Sequence, residues 1–125
     1  MENRKLRVLV VDDEPNVSEC ICLMLSIDGH EVTAVNSGRA ALEQFSSAKF
    51  DLVCTDYSMP GMKGDQLAAA IKAIAPGQPV IMISGIASTM SAPAGVDFIL
   101  GKPFLPRDLR AAVTQATSST CEAAG

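Results

Sequence analysis

The sequence contains 125 residues with a mass of 13.1 kDa, which is about the length of a single domain. Hydrophobic residues make up 48% and charged residues 19%, so the chain can build an apolar core and is unlike a disordered one. Its 14 acidic and 10 basic residues give a net charge of −4, which argues against a DNA- or RNA-binding face. No apolar run is long enough to span a bilayer, and no signal peptide is recognisable. We therefore expect a cytoplasmic protein that binds neither nucleic acid nor membrane.

Strand and helix patterns alternate through the first half of the chain. Leu6–Val11 is a short, β-branched apolar run, which is typical of a strand buried on both faces. A helix is predicted after Pro15, a second strand at Glu31–Val35, and a second helix capped by Ser37. The first helix carries its apolar residues at helical spacing: Val17, Cys20, Ile21, Met24 and Leu25.

The same alternation continues through the second half. Strands are predicted at residues 50–55, 79–83 and 96–100, a third helix begins at Gly64, and a last helix follows Pro106. Repeated strand–helix units predict an α/β fold with a parallel sheet covered by helices on both faces. The predicted organisation is an N-terminal extension (1–5), one domain (6–116) and a small, polar, flexible tail (117–125).

The connection between the fourth and fifth strands is unusually short. Gly85 to Gly95 is 11 residues, close to the minimum of about 10–12 for a crossover with its helix. It also contains the β-branched Thr89 and the helix breaker Pro93. We therefore predict a shortened fourth helix of at most two turns, or an irregular segment.

The cysteines and the single histidine give no metal or redox signature. The cysteines lack a C-x-x-C pair, and we expect each to be a small buried hydrophobe, or a free thiol at Cys121. His30 follows a glycine in a predicted turn, which favours a solvated loop residue.

Polar side chains follow four of the five predicted strands at their carboxyl ends, where open parallel sheets bind ligands. They are Asp12, Asp13 and Glu14 after the first strand, Asp56 after the third, Ser84 and Gly85 after the fourth, and Lys102 after the fifth. Taken singly, these are typical of helix starts, turns and solvated loops. Their convergence on one edge favours a functional site.

The chemistry of that set indicates phosphoryl transfer. Two carboxylates about 4 Å apart repel by roughly 4 kcal/mol at an effective dielectric of 20, so a cation or protonation must compensate. Oxygen ligands on an open edge favour Mg²⁺ over Ca²⁺. Lys102 can neutralise phosphoryl oxygens, Ser84 supplies a hydroxyl, and a carboxylate can attack phosphorus.

Four segments resemble a known family. VLVVDDEP (residues 8–15), TDYSMPGM (55–62), MISG (82–85) and GKPF (101–104) are similar to receiver domains of two-component response regulators, including chemotaxis regulators. The resemblance extends from about Leu6 to Ala116. It implies a five-stranded sheet of order 2-1-3-4-5 in a flavodoxin-like three-layer sandwich.

The resemblance also implies site roles. Asp56 would accept a phosphoryl group from a histidine kinase or phosphotransfer protein. Asp13, Asp56 and the backbone carbonyl of Ser58 would hold Mg²⁺, with Asp12 acting through a bound water. The protein would then be a switch that assists its own phosphorylation and dephosphorylation, not an enzyme acting on other substrates.

Two further residues complete the implied site. Ser84 would bond a phosphoryl oxygen, and Lys102 would pair with Asp56 before transfer and with the phosphoryl group afterwards. A cis peptide bond is expected at Lys102–Pro103, because cis X-Pro costs only about 0.5–1 kcal/mol.

Two departures from the family pattern bear on switching and association. The resemblance implies that Ser84, Ile99 and Phe98 are the residues involved in switching. The usual aromatic switch position is Ile99 here, and Phe98 lies on the opposite face of its strand, so the usual coupling is expected to be muted or carried differently. The short crossover weakens the face through which receivers commonly dimerise. We therefore expect a monomer or weak dimer that does not dimerise through this face on activation.

Other functions fit parts of the pattern. A small Mg²⁺-dependent phosphohydrolase could use Asp12 or Asp56 as nucleophile, but it usually needs an Asp-x-Asp pair and a cap. A flavodoxin-like nucleotide or flavin binder needs a phosphate loop where this chain has three acids. A pseudo-receiver that is never phosphorylated is less compatible with Asp13, Asp56 and Lys102 all being present.

Overall fold

Five strands and the helices between and after them form the framework of the protein. The computed structural model describes residues 5–85 and 95–124, with the side chains of the second segment described as far as residue 117. The strands are β1 (Arg7–Val11), β2 (Glu31–Val35), β3 (Leu52–Asp56), β4 (Val80–Ser84) and β5 (Phe98–Gly101). The helices of the described part are α1 (Pro15–Ile27), α2 (Gly38–Ser47), α3 (Gly64–Ile74) and α4 (Pro106–Ala124).

The sheet has the expected order, β2-β1-β3-β4-β5, and every neighbouring pair is parallel. The strand order reverses between β1 and β3, where Val11 is paired with Thr55. In parallel sheets of this kind, ligands bind outside the carboxyl ends of the strands next to the reversal. The predicted α/β topology is confirmed, and it places the residues that follow β1 and β3 side by side.

Two apolar layers cover the sheet, because successive strand side chains point to opposite faces. One layer joins β1, β3 and β4 to α1 and α4; its buried members include Val8, Val10, Ile21, Leu25, Cys54, Ile81 and Leu109. The other joins β1 and β3 to α2 and α3; its buried members include Leu9, Val11, Ala41, Val53, Leu67 and Ile71. The flavodoxin-like three-layer sandwich is therefore confirmed.

Side-chain hydrogen bonds determine several element boundaries. Ser37 caps α2 as predicted, its Oγ accepting the N–H of Ala40 at 3.1 Å. The predicted fifth strand begins two residues too early. Asp97 precedes β5, where its Oδ2 accepts the N–H of Val80 at 2.8 Å and pairs with Lys72 at 2.9 Å. The Asp97 carboxylate thus connects the start of β4 to Lys72 of α3.

The last helix is longer than predicted. It runs to Ala124, whereas the sequence predicts that a flexible tail begins at Thr117. No Gly or Pro lies between Arg107 and Ala124, so nothing in the backbone interrupts the helix before Gly125. The shortened fourth helix that the sequence predicts after Gly85 falls in residues 86–94, outside the described residues.

Two expectations about single residues are wrong. Cys20 is exposed, because the buried side of α1 is centred on Ser18, Ile21 and Leu25. His30 is half-buried rather than a fully solvated loop residue, and its Nδ1 accepts the N–H of Leu6 at 3.1 Å.

None of the described helices is both long and apolar enough to cross a membrane.

Candidate functional site

Three carboxylates meet at the carboxyl edge of the sheet. Asp12 and Asp13 directly follow β1, and Asp56 is the last residue of the neighbouring β3. One carboxylate oxygen from each residue lies within 4.8 Å of those of the other two. The parallel register brings these residues together, as the sequence predicts.

Asp12 is the most deeply buried of the three, with 2% of its surface exposed. Its Oδ1 accepts the N–H of Glu14 at 2.9 Å, whereas its Oδ2 is buried with no hydrogen-bond partner among the described residues. Burial raises the pKa of this carboxyl above its ordinary value. The charges of Asp56 and Asp13 add to that rise in pKa, and the Glu14 N–H and Lys102 oppose it. Asp12 therefore has an oxygen for which nothing in the described protein provides a donor.

Asp56 forms an ion pair with Lys102. Nζ of Lys102 lies 2.8 Å from Oδ1 of Asp56, whose side chain is 6% exposed. Burial alone would lower the pKa of Lys102, but the hydrogen bond and charge of Asp56, with Asp12 and Glu14, outweigh it and raise the pKa. The lysine is therefore held as a cation against the buried carboxylate.

The end of β4 positions Lys102. The backbone N–H of Lys102 donates to the carbonyl of Ser84 at 2.9 Å, and Ser84 is paired in register with Gly101. Ser84 is buried, and the following Lys102–Pro103 peptide bond is cis, as expected. The structure thus places Ser84 and Lys102 at the same strand ends, beside the carboxylates.

The loop that follows β3 (residues 57–63, the β3–α3 loop) carries Ser58, which is exposed. The loop is anchored at both ends: the N–H of Tyr57 donates to Ile83 at 2.9 Å, and the N–H of Gly64 donates to the Tyr57 carbonyl at 3.0 Å. A methyl group at Gly64 would overlap the carbonyl oxygen of Asp56. Only glycine therefore allows α3 to begin this close to Asp56.

Two contacts near this loop have no counterpart in the sequence-based predictions. Nζ of Lys63 lies 5.8 Å from the centroid of the Tyr57 ring, and Gly38, at the start of α2, is packed against Met62. For the second contact the available signal is the glycine at the start of the helix, but a sequence does not say what approaches a glycine.

Of the three residues predicted to take part in switching, Ser84 ends β4, and Phe98 and Ile99 lie on β5, where both are half-buried. Phe98 packs against the apolar layer that contains α1 and α4. Ile99 is paired with Met82 of β4.

The acidic residues border an open groove of about 690 Å³. Besides Asp12 and Asp13, it is lined by residues of α1, the end of β2 and the start of α2. The groove therefore offers access to the acidic cluster from the side of α1 and α2.

The donor set fits a hard divalent cation. Three carboxylates face one ammonium group, so the cluster keeps an excess of negative charge. The partnerless Oδ2 of Asp12 also needs a donor, which a water on a bound cation would provide. Carboxylate oxygens and water are the ligands that Mg²⁺ prefers. The acidic cluster can therefore hold a metal ion of this class.

Sequence comparisons identify close similarity to one family. The family model described as "Response regulator receiver domain" matches residues 8–114. MtrA of Mycolicibacterium smegmatis, named as a DNA-binding response regulator, is 31% identical over 117 residues, covering 90% of this chain and 51% of that protein. The transcriptional regulatory protein GlrR of Escherichia coli is 33% identical, covering 98% of this chain and 29% of that protein. The chain thus spans about half or less of these relatives.

Structural comparisons give the same result. The response regulator TrrA of Thermotoga maritima, solved in complex with Mg²⁺-BeF, has a TM-score of 0.82 and 30% identity, covering 93% of this chain and 99% of that one. The chemotaxis response regulator CheY4 of Vibrio cholerae has a TM-score of 0.80 and 27% identity, covering 90% of this chain and 99% of that one. With its five parallel strands and its acidic cluster beside a lysine, the chain belongs to the receiver-domain family of two-component response regulators.

Proposed function

We propose that the protein is a phosphoacceptor switch in a two-component phosphorelay, in which Asp56 takes a phosphoryl group from a histidine kinase or phosphotransfer protein. The observation that carries the proposal is the 2.8 Å pair between Lys102 and Asp56 beside two further carboxylates. This arrangement combines a nucleophile, a site for a hard cation and a mobile positive charge, which are the components that phosphoryl transfer needs.

In the proposed reaction, a carboxylate oxygen of Asp56 attacks the phosphorus of a phosphohistidine. The O–P bond forms as the P–N bond breaks, and the electron pair of the broken bond stays on the imidazole. Mg²⁺, when bound, neutralises charge on the phosphoryl oxygens. Because Asp56 is almost fully buried at the end of a strand, its carboxylate is already oriented before the donor arrives.

The residues proposed to hold Mg²⁺ are Asp13, Asp56 and the backbone carbonyl of Ser58, with Asp12 acting through a water. The buried Oδ2 of Asp12 supports the indirect role, because a bound water could donate a hydrogen bond to it. Ser58 supports the carbonyl role by its place in the β3–α3 loop, two residues after Asp56.

Two residues are proposed to stabilise the phosphorylated state. Lys102 would move from the Asp56 carboxylate to a phosphoryl oxygen, which its long flexible side chain allows. Ser84 would donate its hydroxyl to another phosphoryl oxygen. Since the backbone N–H of Lys102 donates a hydrogen bond to the carbonyl of Ser84, a shift of one residue would displace the other.

The signal would pass from the phosphoryl group to the surface of the sheet and α4. The added charge favours whichever conformation makes more contacts with it. We expect the aromatic part of this response to be muted, because Ile99 occupies the switch position and Phe98 is packed against the opposite layer.

The proposed partners follow from the same site. We expect a kinase or phosphotransfer protein as the phosphodonor, a downstream target that distinguishes the two states, and no nucleic acid bound by this domain itself. We also expect a monomer or weak dimer. Light scattering with beryllofluoride and Mg²⁺ tests this, and complete conversion to a dimer through the face around β5 and α4 would contradict it.

Intact-mass spectrometry tests the proposal. Incubation with a small phosphodonor and Mg²⁺ should add one phosphate to the wild-type protein and none to Asp56→Asn, and chelation of Mg²⁺ should prevent the addition. An unmodified wild-type protein would indicate a pseudo-receiver. Multiple turnover of generic phosphate esters would indicate the phosphohydrolase alternative instead.

A further inference from the structure

We propose that Gly38, at the first position of α2, is a positioning residue for the metal site and acts through Met62. The inference rests on the proposed function, since it concerns the β3–α3 loop that is proposed to supply the Ser58 carbonyl to Mg²⁺. Gly38 lies on a different helix and has no side chain, so nothing in its chemistry connects it to the metal directly.

The packing around Gly38 leaves no room for a side chain. A Cβ atom at this position would lie 2.8 Å from Sδ, 2.9 Å from Cβ and 3.0 Å from Cγ of Met62. Carbon atoms in ordinary contact are about 3.5–4.0 Å apart. Rotation of the methionine could move its sulfur away, but its Cβ is bonded to the backbone. An added methyl group must therefore displace the loop or α2.

α2 is better anchored than the β3–α3 loop. Ser37 caps α2 through its hydrogen bond to Ala40, and Ala41 is completely buried in the apolar layer shared with α3. Moving α2 would disturb both contacts. We infer that the loop moves instead.

If Met62 is displaced, few residues of the β3–α3 loop are free to move with it. At the C-terminal end, Gly64 is packed on the Asp56 carbonyl and bonded to Tyr57, and within the loop Met59 is buried in the same apolar layer as Ala41. Ser58 lies between the hydrogen-bonded Tyr57 and the buried Met59 and is itself exposed, so its carbonyl can change direction most easily. The contact between Gly38 and Met62 thus sets where the proposed carbonyl ligand points.

The test is the Mg²⁺ affinity of Gly38→Ala, followed through the emission of Tyr57. Tyr57 is the only tyrosine and the chain has no tryptophan, so the signal comes from the residue next to Asp56. We expect about tenfold weaker binding, the lower end of what loss of an outer partner of a metal ligand costs. The matched control is Gly77→Ala, where a Cβ would meet no atom within 4 Å, and its affinity should equal that of the wild type.

A double variant separates positioning from general damage. Met62→Gly alone should also weaken Mg²⁺ binding, because it frees the loop. Combined with Gly38→Ala, it removes the three atoms that lie nearest to the new methyl group. The double variant should therefore bind Mg²⁺ at least as tightly as Gly38→Ala alone. Hydrogen exchange of the metal-free proteins should show faster exchange at Gly64 in both single variants.

The outcomes separate the two proposals. If the wild-type protein does not bind Mg²⁺, the proposed function fails. If the wild type binds and Gly38→Ala binds within twofold of it, or the losses from the two single changes simply add, the positioning role is wrong. Should Gly38→Ala not fold, Met62→Gly decides: an unchanged Mg²⁺ affinity would overturn the inference.

Discussion

The ammonium group of Lys102 and the carboxylate of Asp56 lie 2.8 Å apart, although Asp56 ends β3 and Lys102 follows β5, and these strands are not neighbours in the sheet. β4 lies between their strands and supplies the Ser84 carbonyl that holds the lysine backbone. The pair is therefore determined by the tertiary fold. It also neutralises one of the three clustered carboxylates.

Replacing the lysine should destabilise the metal-free protein. Lys102→Met leaves the Asp56 carboxylate buried beside Asp12 and Asp13 without its cation. We expect a loss of about 2 kcal/mol in the free energy of unfolding, below the roughly 3–5 for a fully buried pair because Lys102 is partly exposed. Urea denaturation in a chelator measures this. Adding Asp56→Asn should restore most of the loss, and a double variant as unstable as Lys102→Met would contradict the explanation.

Asp12→Asn should have the opposite effect on the metal-free protein. The folded pKa of Asp12 is raised by burial, so between the unfolded and folded pKa values the folded protein binds more protons than the unfolded chain. This group's contribution to stability therefore falls as pH rises through that range. We expect Asp12→Asn to be more stable than wild type by about 1 kcal/mol at neutral pH, and equally stable in acid.

Unfolding curves of both proteins at several pH values, in a chelator, measure this difference. Added Mg²⁺ should stabilise the wild type more than Asp12→Asn. A variant that is less stable at neutral pH without metal would show that Asp12 has a donor that the structure does not reveal.

Gly64→Ala should strain the start of α3. The new methyl group would overlap the carbonyl oxygen of Asp56, which belongs to the central strand and cannot move aside easily. We expect a loss of about 2–3 kcal/mol, the upper part of the range for overpacking. Gly77→Ala is the control, with a change within about 0.5 kcal/mol. Equal stabilities of the two variants in thermal or urea unfolding would refute the close contact.

The cysteines should differ sharply in reactivity. Burial, with a smaller effect from Cys22, raises the pKa of Cys54 to about 12, so this thiol stays protonated in the folded protein. Cys20 is exposed on α1. Alkylation of the native protein, read by peptide mass spectrometry, should modify Cys20 early and Cys54 only on unfolding. Similar rates at both residues would mean that β3 opens readily.

Patterns along the chain were sufficient to predict a parallel sheet and the convergence of Asp12, Asp13, Asp56 and Lys102, whereas the strand order 2-1-3-4-5 is what the resemblance to receiver domains implies. Alternating buried strands and amphipathic helices leave few topologies, and parallel strands bring their carboxyl ends to one edge. The pairing of Lys102 with Asp56 and the cis bond after Lys102 came from the resemblance to receiver domains, and the structure contains both.

Other features depend on contacts that no local pattern records. The close packing of Gly38 on Met62 joins residues distant in sequence, and the bond from Leu6 to His30 replaces the solvation expected of a turn histidine. The extension of α4 to Ala124 was missed for a different reason, which is local and not a matter of distant contacts. Residues 117–124 are small and polar and show no periodicity in the sequence, so periodicity alone predicts no helix there.

The most direct test of the phosphoacceptor assignment is to locate the phosphate. Borohydride reduces an aspartyl phosphate to homoserine, which marks the modified residue for peptide sequencing by mass spectrometry. After treatment with a small phosphodonor and Mg²⁺, we predict homoserine at position 56 and an unmodified Asp12 and Asp13. Homoserine at position 12 or 13, or none in a protein that binds Mg²⁺, would contradict the assignment of Asp56 as the phosphoacceptor.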